Sequence, residues 1–563
     1  MTKRHHREPA ETGVIKKRWR GRRSVAIVFP DAYGLGMANL GFQRVYELLN
    51  RHDEIVAERF FFHNKSSDAR SLESRRHLSE FDIVLFSISF EPGYINLASF
   101  LEGAGFPSFS HERSEHPLVL AGGVACQINP CPATAFVDGF LLGDFEAMEE
   151  DFCNFLVETD LTRDRKSLLA DLARQCQGVY VPDLHQDGGR VIPAFCQEIH
   201  DTVPHTVIVS PGSAFPNTFL LEIARGCGRG CRFCAAGFVY RPPRKWGQEV
   251  IEETLSDTRG ARKVGLVGLE YADSSVISAL CNDLLDRGLQ LGFSSLRADA
   301  ISDEFVRLLV RTKNYTATIA PEAGSERMRR IINKNLTESQ ILGAVETFAR
   351  AGLRNLKLYF MIGLPFEEDS DVEAIVALAK KVRDIMLQFA RNRGTMGNII
   401  VSVSTFVPKP WTPFQWASFC DMEVVTRRRQ ILKKGLAKEA NIKLRLDPVE
   451  QAFLQALLSK GDESVGKILF ELQSKGYGYK RIVKEVSKFA ENYLKGKGEH
   501  EPLPWDIVGH RVRKDYLLAQ WRKAQRGKET GFCELEKCKR CGACRFRYDI
   551  RGESKGRNSG QRT

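Results

Sequence analysis

Short apolar runs alternate with amphipathic stretches along the first quarter of the chain. The apolar runs predict strands at residues 25–29, 55–57, 83–86 and 118–120, and helical spacing of apolar residues predicts helices at 39–49 and 94–101. Strands that alternate with helices pair in parallel, because each helix carries the chain back across the sheet. Residues 24–157 are therefore expected to form an α/β domain with an open parallel, Rossmann-like sheet.

The same alternation returns over residues 218–420. Six apolar runs, each followed by a helical pattern, predict strands at residues 219–224, 264–269, 291–296, 315–320, 356–362 and 399–406. Two helix starts are predicted by capping boxes, Thr337 with Gln340 and Ser370 with Glu373. Six such units predict a partial (β/α)6 barrel of the TIM type, in which functional side chains follow the C-terminal ends of the strands.

The remaining segments differ in composition. Residues 1–23 and 547–563 are basic and are expected to be disordered, while residues 421–530 have helical spacing. Residues 158–217 are expected to be a linker with a β-hairpin around Asp187, Gly188 and Gly189. Residues 531–546 hold four cysteines and are expected to form a separate metal site.

Composition restricts the class of protein. A chain of 563 residues needs several cores, and 43% hydrophobic with 27% charged residues is typical of soluble globular proteins. No long apolar run predicts a membrane span, and no secretory signal is evident, so we expect a cytoplasmic protein. Fourteen cysteines then favour metal or redox chemistry over disulfides. The net charge is +12, and the basic tails have two interpretations: they contact nucleic acid, or they are solvated segments.

Three cysteines lie close together after the first barrel strand. Cys227, Cys231 and Cys234 occur in Arg-Gly-Cys-Gly-Arg-Gly-Cys-Arg-Phe-Cys. Three thiolates hold three corners of a 4Fe-4S cluster and leave the fourth iron open to a small chelating molecule. A zinc site or buried thiols are the alternatives, but zinc takes four ligands and this loop supplies no fourth.

This loop resembles the signature of the radical S-adenosylmethionine (SAM) superfamily, Cys-x3-Cys-x-aromatic-Cys, with Phe233 as the aromatic residue. The resemblance implies an oxygen-sensitive enzyme that reductively cleaves SAM to a 5′-deoxyadenosyl radical for C–H functionalisation. It also implies an electron donor such as flavodoxin or ferredoxin. SAM needs acceptors, a cation and apolar walls, and the residues after the strands that are expected to contact it are Phe233, Glu270, Ser295, Arg297, Glu322, Gly363 and Pro365.

The N-terminal domain resembles the cobalamin-binding domain of cobalamin-dependent radical SAM enzymes. The residues that carry this resemblance, and would contact the corrinoid, are Ser87, Ser89, Gly122, Gly123, Asp138 and Gly143. One feature departs from the pattern of methionine-synthase-type domains: Asp31 is followed by Ala32 and Tyr33, so the Asp-x-His motif is absent. A flavodoxin-like sheet without a cofactor is the alternative.

A second set of cysteines lies near the C-terminal end of the sequence. Cys533, Cys538, Cys541 and Cys544 have the spacing Cys-x4-Cys-x2-Cys-x2-Cys, and four thiolates close a metal site completely. An auxiliary 4Fe-4S cluster, structural zinc and free thiols remain open at this point.

These features predict a radical SAM enzyme, with cobalamin-assisted methyl transfer as the leading function. One alternative is a methylthiotransferase-like RNA modifier, since that group shares Pro408-Lys409-Pro410, although Cys126, Cys131 and Cys153 do not fit its second cluster. Another is a non-catalytic iron–sulfur sensor or RNA-binding protein. The sequence does not predict the substrate.

Overall fold

A six-stranded sheet forms the N-terminal domain. The computed structural model describes residues 10–62, 69–114, 117–185, 189–268, 274–293, 296–312, 315–391, 393–534, 538 and 540–544. The strands are β1 (Arg23–Phe29), β2 (Ile55–Phe61), β3 (Ile83–Ser87), β4 (Leu118–Gly122), β5 (Gly139–Leu141) and β6 (Val179–Tyr180). Their order is β2-β1-β3-β4-β5-β6, and only β6 is antiparallel to its neighbour. The order reverses between β1 and β3, which opens a crevice at the carboxyl ends of these strands.

Helices cover both faces of this sheet. They are α1 (Tyr33–Gly36), α2 (Leu40–Arg51), α3 (Gly93–Gly103), α4 (Val124–Ile128), α5 (Glu149–Glu158) and α6 (Arg165–Gln175). Side chains of a strand alternate between faces, so Val25 and Ile27 join the core under α2, α5 and α6, while Ala26 and Val28 join the core under α3. The predicted open parallel sheet is confirmed.

Most strands of the central domain pair in parallel; the exception is one short antiparallel ribbon. The strands are β7 (Thr218–Glu222), β8 (Ala224–Arg225) and β9 (Arg244–Lys245) of the ribbon, and then β10 (Lys263–Val267), β11 (Gln290–Phe293), β12 (Thr316–Glu322), β13 (Asn355–Ile362), β14 (Ile399–Thr405) and β15 (Ile442–Leu446). Hydrogen bonds order them as β7-β10-β11 and β12-β13-β14-β15, and a parallel bridge from Leu296 to Ile319 connects the two groups. The six predicted strands are confirmed.

The barrel strand β15 was missed by the prediction, which assigned residues 421–530 to helices. Residues of β15 alternate between half-buried and exposed, and Lys443 and Arg445 interrupt its apolar run. It pairs in parallel with β14, from Ile399 opposite Ile442 to Val403 opposite Leu446. The barrel sheet therefore extends beyond residue 420.

The barrel helices are α7 (Ala236–Val239), α8 (Gln248–Ser256), α9 (Ser274–Asp286), α10 (Asp303–Arg311), α11 (Glu326–Ile331), α12 (Glu338–Arg350), α13 (Asp369–Arg391) and α14 (Met422–Leu436). The capping box of Thr337 and Gln340 at α12 is confirmed. The box predicted at Ser370 is wrong, because α13 begins at Asp369 and the Asp371 carboxylate accepts from the Glu368 N–H instead.

The last helices are α15 (Val449–Lys460), α16 (Glu463–Ser474), α17 (Tyr479–Leu494) and α18 (Lys514–Gln525). The helices α15 to α17 supply Leu457, Leu469 and Val486 to the core that contains Val28 of the N-terminal sheet. The C-terminal region is therefore part of the packing of the N-terminal domain rather than a separate unit.

The prediction of a disordered arm at residues 1–23 is wrong for residues 10–23. Residues 10–22 are ordered against the N-terminal sheet, where Glu11 pairs with buried Arg59 at 2.8 Å and the Trp19 indole N–H donates to Glu58 at 2.8 Å. Burial of the Arg59 guanidinium is costly without a carboxylate partner, so its pair with Glu11 stabilises the ordered position of residues 10–22. Residues 1–9 and the tail at 547–563 lie outside the described residues.

The turn of the predicted hairpin, Asp187 and Gly188, lies outside the described residues, and the described runs on either side of it, 178–182 and 190–193, do not pair with each other. Val179 and Tyr180 pair with β5, and Val191 forms a bridge with Val508 near the C-terminus. Each run satisfies its backbone groups on another part of the chain, which local turn residues do not reveal.

Candidate active site

One cavity of about 930 Å³ lies between the carboxyl ends of the N-terminal sheet and the first barrel strands. Ser87, Ser89, Gly122, Gly123 and Gly143 line it from the sheet. The barrel contributes Cys227, Cys231, Phe233, Cys234, Arg297 and Glu322. The residues predicted to bind SAM and those predicted to bind a corrinoid therefore share one space.

The three-cysteine loop is tightly folded. Gly226 and Gly230 have φ values of 87° and 78°, a region that favours glycine, and the Cys234 N–H donates to the Cys231 carbonyl at 3.1 Å. Burial raises the pKa of the Cys231 thiol to about 12, although nearby Lys334 acts in the opposite direction. Thiolates at this position therefore require a bound metal to form near neutral pH.

Glu322 occupies a strained position at the end of β12. Its φ is 67°, which is uncommon for a residue with a side chain and is characteristic of functional sites. Its carboxylate lies 3.3 Å from the Lys334 ammonium. Burial raises the pKa of Glu322, and Lys334 opposes that rise. The site therefore presents one buried carboxylate and one cation beside the cysteines.

Arg297 is held by Asp299 in a two-point contact, with Nε–Oδ1 at 2.8 Å and Nη2–Oδ2 at 2.9 Å. Arg229 of the cysteine loop lies 3.4 Å from the same carboxylate. Asp299 thus fixes Arg297 at the cavity wall and connects it to the loop that carries the cysteines.

Four predicted SAM contacts are not placed at this wall. Glu270 and Ser295 lie outside the described residues. Gly363 and Pro365 do not belong to the cavity lining. The Gly363 N–H donates to the Glu367 carboxylate at 2.6 Å, and a Cβ at Gly363 would lie 3.0 Å from that of Cys420, so Gly363 serves the packing of the loop after β13.

Of the predicted corrinoid contacts, five line the cavity and Asp138 does not. Asp138 is outside the lining and accepts from the Val119 N–H at 2.6 Å and from Arg113 at 3.3 Å, so its role is structural. Gly123 and Gly143 line the cavity, yet a Cβ there would lie 2.4 Å from the Ile88 carbonyl and 2.2 Å from the Ala194 carbonyl. These glycines are required where two chain segments cross.

A buried ionic network between the domains was missed by sequence reasoning. Arg225, two residues before Cys227, contacts Asp144 at 2.8 Å, Glu146 at 2.9 Å and Glu222 at 2.8 Å, and all four line the cavity. Arg244 also pairs with Asp144. The charged residues Asp144 and Glu146 follow the β5 strand, so their position at a strand end was the available signal.

The cysteines of the N-terminal domain do not form a second cluster. Cys126 belongs to the core on one face of the sheet and Cys153 to the core on the other. Both are buried, and burial raises the pKa of the Cys153 thiol to about 12. The three-cysteine site that a methylthiotransferase-like enzyme would need there is absent from the described residues.

The donor set fits the implied cofactors. Three thiol side chains with a carboxylate and two cations beside them match an iron–sulfur cluster and a zwitterionic nucleotide. Among the residues that the structure describes, no three His, Cys, Asp or Glu side chains are arranged to hold a single metal ion. A cubane differs in that each thiolate binds a separate iron. On the sheet side, Phe86, Phe90 and Val124 give an apolar wall suited to a large ring.

Within the described ranges, no helix combines the length and the apolar character that a membrane crossing needs.

Two family models match the chain. The model described as "Radical SAM proteins, N-terminal" matches residues 41–182, and the "Radical SAM superfamily" model matches residues 221–379. The uncharacterized protein MJ0966 of Methanocaldococcus jannaschii is 29% identical over 453 residues, which cover 79% of this chain and 90% of that protein. The uncharacterized methyltransferase PH0819 of Pyrococcus horikoshii is 24% identical over 174 residues, 30% of this chain and 37% of that protein.

Solved structures with distant similarity include the radical SAM methyltransferase TsrM of Kitasatospora setae with cobalamin and a [4Fe-4S] cluster bound. It is 11% identical, with a TM-score of 0.47, over 83% of this chain and 100% of that chain. The cobalamin-dependent enzyme OxsB is 13% identical, with a TM-score of 0.46, over 90% of this chain and 79% of that chain. With both of its main domains matched by radical SAM models, the chain belongs to the radical SAM superfamily.

Proposed function

We propose that this radical SAM enzyme transfers a methyl group from a corrinoid to an unactivated carbon of its substrate. The observation that carries the proposal is the single cavity lined both by the cysteine loop and by the carboxyl ends of the N-terminal sheet. Parallel sheets bind ligands at such a crevice, where the strand order reverses. The similarity to a protein named a methyltransferase supports the same reaction class.

Each group of residues would have a separate task. Cys227, Cys231 and Cys234 would hold the cluster, and Glu322 and Arg297 would bind the polar ends of SAM. When bound, the cluster with SAM supplies a radical that removes hydrogen from the substrate, and the corrinoid supplies the methyl group. The protein positions these partners and excludes water from the space between them.

The sheet side of the cavity would bind the corrinoid. Ser87 and Ser89 offer hydroxyl groups at the end of β3, and Ser89 is held by the Asn39 amide, which donates to it at 2.7 Å. No histidine lines the cavity among the residues that the structure describes. Ser87, Ser89 and the apolar wall would therefore hold the corrinoid without a histidine from this lining. Electrons would come from a low-potential carrier such as flavodoxin or ferredoxin.

The proposal is tested by anaerobic reconstitution with iron, sulfide and hydroxocobalamin, followed by measurement of corrinoid per chain and of 5′-deoxyadenosine released from SAM. We expect about one corrinoid per chain and 5′-deoxyadenosine formation that the Cys231→Ala variant abolishes. A Ser89→Phe variant should lose corrinoid yet still form 5′-deoxyadenosine, because it fills only the sheet side.

A matched control is Ser79→Phe, on an exposed turn of the same domain, which should keep the corrinoid. If the wild-type protein forms 5′-deoxyadenosine but takes up no corrinoid, methyl transfer from cobalamin is excluded. If Cys231→Ala still cleaves SAM, the cysteine loop is not the site of radical formation.

A further inference from the structure

The C-terminal cysteine segment packs directly on the loop that carries Cys227, Cys231 and Cys234. The Cys533 N–H donates to the Gly228 carbonyl at 2.9 Å. Asn333, 1% exposed, connects both segments: its amide donates to the Gly230 carbonyl at 3.1 Å and its oxygen accepts from the Thr530 N–H at 2.7 Å. The two cysteine loops therefore share a common wall.

Arg229 adds a side-chain contact to these backbone bonds. Its guanidinium lies 4.1 Å from the centre of the Phe532 ring, and it also faces Asp299 at 3.4 Å. One residue of the three-cysteine loop thus contacts both the SAM side of the barrel and the residue before Cys533.

A small space remains between the two loops. Its lining includes Arg229, Gly230, Arg241, Cys533, Cys538 and Cys541. Three of the four terminal cysteines therefore face one space, together with the Arg241 side chain.

Arg241 is the buried cation of this space. Its side chain is 4% exposed in the folded chain, and its Nε donates to the Gly237 carbonyl at 2.6 Å. Within the described residues no carboxylate forms an ion pair with it, and its guanidinium lies 4.8 Å from the centre of the Phe238 ring on the space that the terminal cysteines line. A negatively charged group bound in that space would offset the cost of burying this cation.

We infer that Cys533, Cys538, Cys541 and Cys544 hold a second iron–sulfur cluster, whose negative charge is balanced by Arg241. Four thiolates leave no iron open, so SAM does not bind there. No three of the described cysteines are arranged around one ion, whereas a cubane takes each thiolate on a different iron. Because the Cys533 N–H donates to the Gly228 carbonyl and Asn333 links Thr530 to the Gly230 carbonyl, this cluster also stabilises the three-cysteine loop.

The test separates the two sites. In a Cys227→Ala, Cys231→Ala, Cys234→Ala triple variant, reconstituted anaerobically, we expect about four irons and four sulfides per chain. Reduction with dithionite should give an electron paramagnetic resonance signal of a 4Fe-4S cluster. About one zinc per chain with no iron would overturn the inference, as would a triple variant without any metal.

A second pair of variants tests the residues directly. Cys541→Ser should halve the iron of the otherwise unchanged protein, whereas Cys196→Ser, whose thiol donates to the Glu198 carbonyl at 3.0 Å, should leave it unchanged. Arg241→Gln should lower the midpoint potential of the remaining cluster in the triple-variant background, because the cation favours the reduced, more negative state. Equal iron in Cys541→Ser and Cys196→Ser would contradict the assignment. Iron content and midpoint potential are measured without corrinoid, so their outcome does not depend on the methyl-transfer proposal.

Discussion

Arg225 of the barrel donates through Nη1 to Oδ1 of Asp144 in the N-terminal domain at 2.8 Å. This contact joins the strand end that leads into Cys227 to the strand end that lines the proposed corrinoid side. Both side chains are largely buried, 12% and 6% exposed. The relative position of the two halves of the cavity therefore depends on a buried ion pair.

Replacement of Arg225 by Gln should destabilise the protein. The change leaves Asp144, Glu146 and Glu222 clustered without their common cation, and breaking such a buried pair costs about 3–5 kcal/mol. Thermal unfolding measures the effect. Arg163→Gln is the control, because its pair with Asp171 is half-exposed and should contribute less than about 1 kcal/mol. Equal losses in the two variants would show that the network does not join the domains.

The same network should make stability depend on pH. Burial alone would raise the pKa values of Asp144 and Glu146, but the neighbouring arginines, Arg225 foremost with Arg244 at Asp144 and Arg44 at Glu146, together outweigh burial and hold both below their ordinary values of 3.8 and 4.5. Carboxylates with a lowered pKa stabilise the fold above those ordinary values, and this contribution is lost as the pH falls below about 4.5. The difference in melting temperature between wild type and Arg225→Gln should therefore shrink from pH 6 to pH 3. A constant difference over that range would contradict the assignment.

Glu322→Gln should weaken SAM binding without loss of iron. A charge-assisted hydrogen bond contributes about 1.5–3 kcal/mol, which corresponds to at least about a tenfold increase in Kd. Burial raises the pKa of Glu322, so wild-type affinity should fall with decreasing pH earlier than for an ordinary glutamate, and Gln should remove that dependence. Equilibrium dialysis under anaerobic conditions measures both effects.

Glu326→Gln is the matched control for Glu322, because Glu326 lies four residues on and its side chain is 52% exposed. It should leave Kd and its pH profile unchanged. An unaltered Kd in Glu322→Gln would remove this carboxylate from the SAM site.

Gly466→Ala should disrupt the packing of α16 on the N-terminal domain. A Cβ at this position would lie 1.8 Å from the Pro132 carbonyl oxygen, so the helix has to move away. Overpacking of this kind costs about 1–3 kcal/mol. Gly343→Ala, inside α12 with no atom within 4 Å of the new Cβ, should instead stabilise the protein by up to about 1 kcal/mol. An unchanged melting temperature in Gly466→Ala would contradict the contact.

The sequence predicted those strands and site residues that a local pattern of apolar or polar residues determines. Four strands of the N-terminal sheet and six barrel strands were predicted, because continuous apolar runs such as residues 83–86 mark buried strands whatever surrounds them. The short strands β5 and β6 were not predicted as strands of the N-terminal sheet. Strand β15 was missed because an edge strand with Lys443 and Arg445 lacks such a run. Glu322 and Arg297 were predicted to reach the site because they end barrel strands, whereas Lys334 lies in a loop that no pattern marks.

Function at the level of the cysteine loop was thus encoded locally, since three thiols spaced within eight residues meet in any tight turn. The tertiary structure alone decided that this loop faces the ends of the N-terminal strands and that the terminal cysteines lie behind it. It also decided that Gly123 and Gly143 lie where two chain segments cross, so that neither position has room for a Cβ. The physical reason is that such contacts join residues hundreds of positions apart, and they depend on which surfaces the remaining elements leave uncovered.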